Sequence, residues 1–396
     1  MDDPCADMAR ASYWNHYNPV RIIAGAGAIN HIGLCMEQFF PAPDPSETGK
    51  QKHTGTILLL TSKGFTRRGA VDRLCGIIVS ARPWVHMEIH DSVQPNPDMR
   101  DMESLTHKYK GHTISGIIAM GGGSVLDTGK VLSVLLPHIV ANSEYAGLED
   151  ILCQGKKPHF FKKIPLIAIP TTAGTGAEVT PFATIWDALR HKKYSLSDNL
   201  VFPCHALSDP ELTLSLPEEE TVNTGLDALS HALESLWNIN RTPLSEALAW
   251  QALYLGVKAL PAVLEQPESI DKRAQMTHAA LLSGLAISQT KTALAHSISY
   301  PLTSRFNIPH GLACSFTLAE MIRLSVKEKV FPVHYSALLK ELIFLLESLG
   351  LKNRIGKYAS FKDILNENEA MHTPERADNC IIKPDLIRLL KQSLNI

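Results

Sequence analysis

Three short apolar runs in the first half of the chain constrain its fold most. They are Thr56–Thr61, Gly116–Met120 and Ile164–Ile169, and they run into the turn-forming sequences SKGFTRRG, GGGS and PTTAGTGAE. Short apolar runs that end in turns are typical of strands buried on both faces. Helical patterns lie between them, at Asp98–Lys110 and Val125–Leu136. This alternation predicts an α/β domain with a parallel sheet, the architecture of nucleotide-binding domains.

The pattern changes after Asp209–Pro210. Apolar residues then recur at three- and four-residue spacing, which is the period of amphipathic helices. The segments with this period are Thr224–Trp237, Pro243–Leu264, Lys272–Ile287 and Phe331–Leu349. We therefore predict an α/β N-terminal domain over residues 1–210 and an all-α C-terminal domain over 211–396, and 396 residues are enough for two hydrophobic cores.

Charge and composition narrow the functional classes. The chain has 38 basic and 40 acidic residues, which gives no electrostatic reason to expect nucleic acid or an anionic membrane as a partner. Its apolar stretches are too short to span a bilayer, and the seven cysteines form no CxxC pair, so we expect reduced thiols in a cytoplasmic protein. The proline-rich stretch Pro41–His53 predicts an exposed loop.

The glycine run Gly121–Gly123 with Ser124 follows a predicted strand and leads into a predicted helix. Such a loop lets backbone N–H groups approach a phosphate at the positive end of the helix, although a simple tight turn explains the glycines as well. In that helix, Asp127 could cap the first turn or bond a nucleotide hydroxyl, and Lys130 could offset phosphate charge.

The second glycine loop, Thr171–Glu178, offers several hydroxyls at the end of another predicted strand. It suits ribose or phosphate contacts, and a structural turn remains the alternative. The ordinary GxGxxG dinucleotide fingerprint is missing after an early strand.

A set of acidic and imidazole side chains in the second half suits a metal ion. Asp227 and His231 lie four residues apart in the predicted helix GLDALSHALESLW, which puts both on one face. His296 lies in another predicted helix, and His310 follows a proline turn. One carboxylate and three imidazoles accept Fe(II), Zn(II) or Mn(II).

Each of these histidines taken singly is more often packed or solvated than a metal ligand, and the Asp-x3-His spacing is weak evidence. It also occurs at Asp187 and His191, in a segment that reads as a strand, a turn and a strand, so those side chains need not converge. The glycine loops upstream and the pair His296 and His310 downstream favour the first pair.

Together these motifs resemble the iron-containing alcohol dehydrogenase family. The resemblance covers about Asn18 to Leu390 and is carried, in the family's order, by NPVRIIAGAGAI, GGGSVLDTGK, IPTTAGTGAEVT, GLDALSHALES and the spacing from His296 to His310. It implies an iron alcohol dehydrogenase or dehydroquinate synthase-like fold: an α/β nucleotide-binding domain with a parallel sheet, then an all-α metal-binding domain. The implied activity is the NAD(P)-dependent interconversion of a small aldehyde and its primary alcohol, with Fe2+ as the expected metal, in a homodimer or higher homo-oligomer.

The resemblance also assigns roles to residues of this chain. It implies that the metal ligands are Asp227, His231, His296 and His310. It implies that the cofactor contacts are Gly122, Gly123, Ser124, Asp127, Thr171, Thr172 and Lys193.

Two departures from the family pattern affect these expectations. Many members carry an aspartate after the first strand of the nucleotide domain, which repels a 2'-phosphate. Here that place is assigned to Ser62, with Lys63 beside it, so NAD(H) is expected and NADP(H) stays open.

Tyr300 stands four residues after His296, where a histidine is common in the family. With an ordinary pKa of about 10, a tyrosine could donate a proton but is a poor base at neutral pH, and it could equally form an aromatic wall of the pocket.

The stretch SISYPLTSRFNIPHGLACSFTL is similar to the branch that contains reductases of sulfoacetaldehyde and phosphonoacetaldehyde. An anionic aldehyde needs a cation near the metal, and the nearest candidates in the sequence are Arg305, Arg241 and Lys291, each of which could equally be a surface charge. The products would be isethionate or 2-hydroxyethylphosphonate. The alternatives are a general short-chain alcohol dehydrogenase, a dehydroquinate synthase-like lyase that recycles its NAD, and a non-catalytic nucleotide- or metal-binding protein.

Overall fold

The computed structural model describes residues 13–37, 39–40, 55–141, 147–154 and 160–395, so the loop predicted at Pro41–His53 lies outside it. The chain forms two compact units. The sheet unit comprises Pro19–Thr172 and Ala177–Thr213. The helical unit comprises Ala173–Gly176 and Leu214–Ile396, together with the described residues before Pro19.

The sheet unit is built on six parallel strands in the order β1-β8-β5-β4-β2-β3, and a separate antiparallel pair, β6 and β7, completes it. The strands are β1 Arg21–Ala24, β2 Thr56–Leu60, β3 His86–His90, β4 Ile114–Gly121, β5 Leu166–Pro170, β6 Phe182–Asp187, β7 Lys192–Ser197 and β8 His205–Ser208. The predicted parallel sheet is therefore confirmed.

Helices cover both faces of this sheet. They are α1 Ile32–Met36, α2 Lys63–Arg67, α3 Ala70–Ala81, α4 Met99–Tyr109, α5 Gly123–Ala141 and α6 Gly147–Cys153. Successive strand residues point to opposite faces, so Leu59 joins one hydrophobic cluster and Leu58 joins another. Burial on both faces explains why β2, β4 and β5 are nearly continuous apolar runs.

The helical unit confirms the predicted all-α character. Its helices are α7 Glu218–Leu236, α8 Pro243–Glu265, α9 Ile270–Thr290, α10 Leu294–Phe306, α11 His310–Ala313, α12 Leu318–Lys327, α13 Ser336–Ser348, α14 Leu351–Ile355, α15 Phe361–Asn366, α16 Pro374–Ala377 and α17 Leu386–Leu394. The helix predicted over Phe331–Leu349 begins only at Ser336, because the chain first passes Pro332 and a short 3-10 turn.

Helix α8 is, within the described ranges, the one helix long and apolar enough to cross a membrane by length and composition alone. It starts at a capping box in which Thr242 and Ser245 bond each other's backbone N–H groups, with Pro243 in the first turn. Half of its apolar window is buried, and Leu253 and Leu260 belong to the core of the helical unit. The apolar composition of α8 therefore serves this core.

The buried carboxylate of Asp209, just after β8, fixes the loop that follows β1. Its oxygens accept backbone N–H bonds from Gly27 at 3.2 Å, Ile29 at 3.1 Å and Glu211 at 3.0 Å. Gly27 lies at φ +78°, a left-handed conformation that glycine adopts without strain. The motif GAGAI is thus held by Asp209.

We expect Asp209→Ala to lower the free energy of unfolding by roughly 2–4 kcal/mol, because three backbone N–H groups lose a charged acceptor. Calorimetry compared with Glu37→Gln, an exposed residue at the end of α1, measures the effect. An unchanged unfolding transition in Asp209→Ala would contradict this account of the loop.

Candidate active site

The four predicted metal ligands converge on one carboxylate oxygen in the helical unit. The Oδ1 atom of Asp227 lies 3.7 Å from Nε2 of His231, 3.5 Å from Nε2 of His296 and 3.8 Å from Nε2 of His310. Asp227 and His231 share one face of α7, while α10 and α11 supply the other two imidazoles. Three helices therefore direct these side chains to one point.

These separations suit a common metal ion. Zinc and similar ions lie about 2.0–2.2 Å from nitrogen and oxygen ligands, which puts tetrahedral ligands about 3.4 Å apart. The observed separations of 3.5 to 3.8 Å are close to that value. His231 is not part of the group whose donor atoms all lie within 4.8 Å of one another, so its place among the ligands rests on its 3.7 Å distance from Asp227.

Glu234, one turn after His231 on α7, orients His296. Nδ1–H of His296 donates to Oε2 of Glu234 at 2.7 Å, and the carboxylate also accepts the backbone N–H of Ala293 and of His296. In the neutral imidazole this bond leaves Nε2 without a proton, and that atom is buried with no hydrogen-bond partner. A carboxylate behind a metal-binding imidazole is the usual support of such sites.

The charges of the site also call for a cation. Burial raises the pKa of Asp227, but the imidazoles of His231, His296 and His310 outweigh it, and the net pKa is well below the ordinary value. Burial likewise raises the pKa of Glu234, and His296 outweighs it. Two buried ionised carboxylates beside an unpartnered imidazole nitrogen fit a divalent metal ion.

The imidazoles differ in their electrostatic surroundings. Burial lowers the pKa of His231, which favours the neutral form that binds metals. Burial also acts to lower the pKa of His296, but Glu234 and Asp227 outweigh it and the pKa is raised. The field at His296 thus stabilises a positive charge, which a metal ion can supply in place of a proton.

Sequence reasoning missed Cys314, which follows His310 by four residues. Its Sγ lies 3.6 Å from Oδ1 of Asp227, and the donor atoms of Asp227, His296, His310 and Cys314 all lie within 4.8 Å of one another. Burial raises the pKa of the thiol. The four-residue spacing after a predicted ligand was the available signal.

The second Asp-x3-His pair, Asp187 and His191, lies at the end of a strand and in the turn that follows it. Asp187 ends β6, and its Oδ2 accepts a bond from Arg190 at 2.8 Å. His191 lies in the turn before β7 at φ +50°. The interpretation of this segment as a strand, a turn and a strand is confirmed.

Tyr300 lies one turn after His296 on α10. Burial raises its pKa, although Arg376 and a hydrogen bond with Thr292 act in the opposite direction. The guanidinium carbon of Arg376 lies 5.4 Å from the centre of the Tyr300 ring, and Arg376 also donates to Oγ1 of Thr292. The phenol therefore stays protonated at neutral pH.

The candidate cations near the predicted metal ligands differ in their partners and exposure. Arg305 is paired with Glu367 at 2.6 Å, Arg241 is paired with Glu246 at 2.7 Å, and Lys291 is exposed directly after α9. Each of the two arginines is therefore engaged with a carboxylate, and a role in anion binding stays a prediction for both. Arg376, which the sequence analysis did not single out, is the half-buried cation beside Tyr300.

The first glycine loop joins β4, which ends at Gly121, to α5, which begins at Gly123. A Cβ on Gly121 would lie 2.5 Å from Cγ2 of Val125, so packing requires glycine there. A Cβ on Gly122 would make only an ordinary 3.4 Å contact with Thr172, so packing does not require glycine there, and its predicted cofactor contact stays a prediction. The first N–H groups of α5 have no intrahelical acceptor and can bind phosphate.

Three side chains after this loop are bonded within the sheet unit. Ser124 accepts the backbone N–H of Asn96 at 3.1 Å, and Oδ2 of Asp127 accepts that of Thr184 at 2.8 Å, so Asp127 does not cap its helix. Lys130 is fully buried, and its ammonium donates to Oγ1 of Thr180 and to a backbone carbonyl of β6. The expectation that Lys130 offsets phosphate charge is wrong, because its charge is held inside the unit.

Of the remaining predicted cofactor contacts, Thr171 and Thr172 lie beside the first glycine loop and Lys193 lies on β7. Thr171 is buried, and its backbone N–H donates to the carbonyl of Gly121, which joins the ends of β4 and β5. Thr172 is the next residue in the chain. Lys193 on β7 lies 5.5 Å above the ring of Trp186.

Ser62 lies just after β2, the apolar run from which its place was assigned, and β1 precedes that strand in the sheet unit. It precedes α2 and pairs with Ser92 in an isolated bridge. Asn96, at φ +51° in the sequence QPNP, was missed, although its N–H bond to Ser124 places it beside the glycine loop.

A parallel-sheet unit with glycine loops and a helical unit with one carboxylate and three imidazoles are the features of a nucleotide- and metal-binding enzyme. The family model "Iron-containing alcohol dehydrogenase" matches residues 19–210, and the model of the Fe-containing alcohol dehydrogenase family C-terminal domain matches 221–389. The chain belongs to the iron-containing alcohol dehydrogenase family.

Individual relatives are moderately similar. Aldehyde-alcohol dehydrogenase 2 of Entamoeba histolytica is 30% identical over 80% of this chain, which spans only 36% of that longer protein. Choline dehydrogenase of Bacillus subtilis is 28% identical over 95% of this chain and 88% of its own length. The crystal structure of sulfoacetaldehyde reductase from Bifidobacterium kashiwanohense in complex with NAD+ has a TM-score of 0.79 at 26% identity, over 97% of this chain and 98% of that one.

We expect Glu234→Gln to weaken divalent metal binding by about 10- to 100-fold, because the partner that orients His296 loses its charge. Competition with a coloured chelator measures the affinity, and Glu246→Gln, which breaks an ion pair with Arg241, is the matched control. Equal affinities in the two variants would refute the supporting role of Glu234.

Proposed function

We propose that this chain catalyses the reversible reduction of a small aldehyde by NAD(P)H, with one divalent metal ion held by Asp227, His231, His296 and His310. The observation that carries the proposal is the convergence of three imidazole Nε2 atoms on Oδ1 of Asp227, with Nε2 of His296 buried and unpartnered. Aldehyde, NAD(P)H and one proton give a primary alcohol and NAD(P)+.

When bound, the metal supplies a Lewis acid for the aldehyde oxygen, and the reduced nicotinamide supplies the hydride. The chain's own residues prepare the site for both. Glu234 accepts the Nδ1–H bond of His296, which would leave the lone pair of Nε2 available to a metal ion. The side chain of His310 is the most accessible of the four, at 26% exposure, so we assign the substrate to its side of the ion.

A proton must reach the oxygen of the alcohol product, and Tyr300 suits this role. Its raised pKa keeps the proton on Oη at neutral pH, and its hydrogen bond with Thr292 holds the hydroxyl in place. The N–H groups of Gly122, Gly123 and Ser124 are assigned to the pyrophosphate of the cofactor. Thr171, Thr172, Asp127 and Lys193 stay predictions as cofactor contacts.

NAD(H) is the proposed cofactor because the similar sulfoacetaldehyde reductase was crystallised with NAD+. Ser62 carries no charge that would repel a 2'-phosphate, so NADP(H) is the second candidate cofactor. Fe2+ is the proposed metal on the basis of the family, and the same ligands accept Zn2+ or Mn2+.

The proposed substrate is an anionic aldehyde such as sulfoacetaldehyde or phosphonoacetaldehyde. Arg376 supports it, because a half-buried guanidinium lies over the ring of Tyr300, one turn from His296. Planar guanidinium groups bind sulfonate and phosphonate oxygens well. The second candidate is a general short-chain alcohol dehydrogenase, which would reduce neutral aldehydes as well as anionic ones.

Two further expectations belong to the proposal. We infer a homodimer or higher homo-oligomer and a cytoplasmic location, on the basis of the family and of seven cysteines without a CxxC pair. A dehydroquinate synthase-like lyase or a non-catalytic binding protein would show no net oxidation of NADH.

We expect chelator treatment under anaerobic conditions to abolish NADH oxidation with short-chain aldehydes, and Fe2+ to restore it, because the metal polarises the carbonyl. Absorbance of NADH measures the rate, and Zn2+ and Mn2+ are compared in parallel. Full activity of the stripped protein would rule out the metal-dependent mechanism.

We expect Arg376→Gln to raise KM for sulfoacetaldehyde and phosphonoacetaldehyde by about tenfold or more, with little change for propanal, because only the anions lose a charged partner. Arg323→Gln, which removes an exposed guanidinium paired with Glu320 and Glu347, is the matched control. The same loss for propanal, or a loss in Arg305→Gln instead, would reject Arg376 as the anion-binding residue.

A further inference from the structure

The metal-binding point of the helical unit has a sulfur donor that the predicted ligand set does not include. Cys314 follows α11, and its Sγ lies 3.6 Å from Oδ1 of Asp227, the oxygen that the three imidazole Nε2 atoms approach at 3.5 to 3.8 Å. The sulfur thus has the same relation to Asp227 as the predicted ligands.

The donor atoms of Asp227, His296, His310 and Cys314 form a compact group, all within 4.8 Å of one another. Independently of the cysteine, Nε2 of His296 is buried without a hydrogen-bond partner and lies 3.5 Å from the same oxygen of Asp227. This unpartnered nitrogen indicates that the group is arranged for a ligand, and the donor-atom distances place Cys314 in that group.

We propose that Cys314 is a direct ligand of the metal ion and gives this site a preference for thiolate-binding ions such as Zn2+ and Co2+ over Mn2+. Metal binding replaces the S–H bond with a sulfur–metal bond and releases one proton to solvent, with no change of oxidation state. Softer ligands favour zinc over manganese, which prefers oxygen. The inference rests on the metal site of the proposed function.

The structure also defines two competing roles for this thiol. Sγ lies 3.4 Å from the carbonyl oxygen of Gly311, a contact that a simple packed cysteine makes in a helix. Its S–H could also donate to Asp227 and orient the carboxylate without touching the ion. Serine preserves a donor and alanine removes it, so the two substitutions separate these roles.

The test uses the full chain, stripped of metal and loaded with Co2+ without nucleotide or aldehyde. A cobalt–thiolate bond gives a near-ultraviolet charge-transfer band. We expect the band in the wild type and in Cys380→Ser, a buried cysteine outside the donor group, and its loss in both Cys314→Ser and Cys314→Ala. Competition with a chelator should show Zn2+ affinity falling by about tenfold or more in both Cys314 variants, and Mn2+ affinity changing much less.

Three outcomes overturn the proposal. If no band is seen and Cys314→Ser binds Zn2+ as the wild type does while Cys314→Ala does not, the thiol only orients Asp227. If neither substitution changes metal binding, Cys314 is a packing residue. If the wild type binds no Co2+ or Zn2+, both this proposal and the metal site of the proposed function fail. A protein that shows the band but does not reduce aldehydes would refute the proposed activity and leave Cys314 as a metal ligand. Circular dichroism checks that each variant is folded.

Discussion

The buried carboxylate of Asp227 is the interaction on which the helical unit's site depends. A buried charge is costly unless partners surround it, and here three imidazoles and a thiol approach one of its oxygens. The surrounding packing makes this approach possible. A Cβ on Gly311 would collide with the carbonyl oxygen of Asn223 on α7, so the glycine after His310 lets α11 lie directly against the helix that carries Asp227.

The same close packing explains the second glycine loop. Gly176 lies at φ +60°, and a Cβ there would collide with Gly284 on α9, while a Cβ on Gly174 would lie 2.7 Å from the carbonyl oxygen of Thr224. Both glycines are therefore required by contacts within the helical unit. The sequence left a ligand contact and a structural turn open at this loop, and helix packing gives a sufficient reason for both glycines.

The sequence predicted elements whose pattern is local and missed those whose pattern is set by distant neighbours. Strands β2, β4 and β5 were found because burial on both faces makes them apolar, whereas the edge strand β3, HMEIH, is polar and only half-buried. The four-residue spacing of Asp227 and His231 predicted that both side chains lie on one face of a helix. The hydrogen bond that His296 donates to Glu234 and the position of Arg376 over Tyr300 join segments far apart in the chain, and no spacing rule indicates them.

Tyr300 shows how one departure from the family pattern changes the chemistry around a retained set of candidate ligands. A histidine at this position would change charge near neutral pH. The phenol does not, because burial raises its pKa beyond that of an ordinary tyrosine. The hydroxyl bonds Thr292, and Arg376 both donates to Thr292 and covers the ring, so the tyrosine is part of a fixed group and not a mobile base. Replacing histidine by tyrosine therefore gives up a group that titrates near neutral pH one turn from His296, and it puts in its place a protonated hydroxyl beside Arg376.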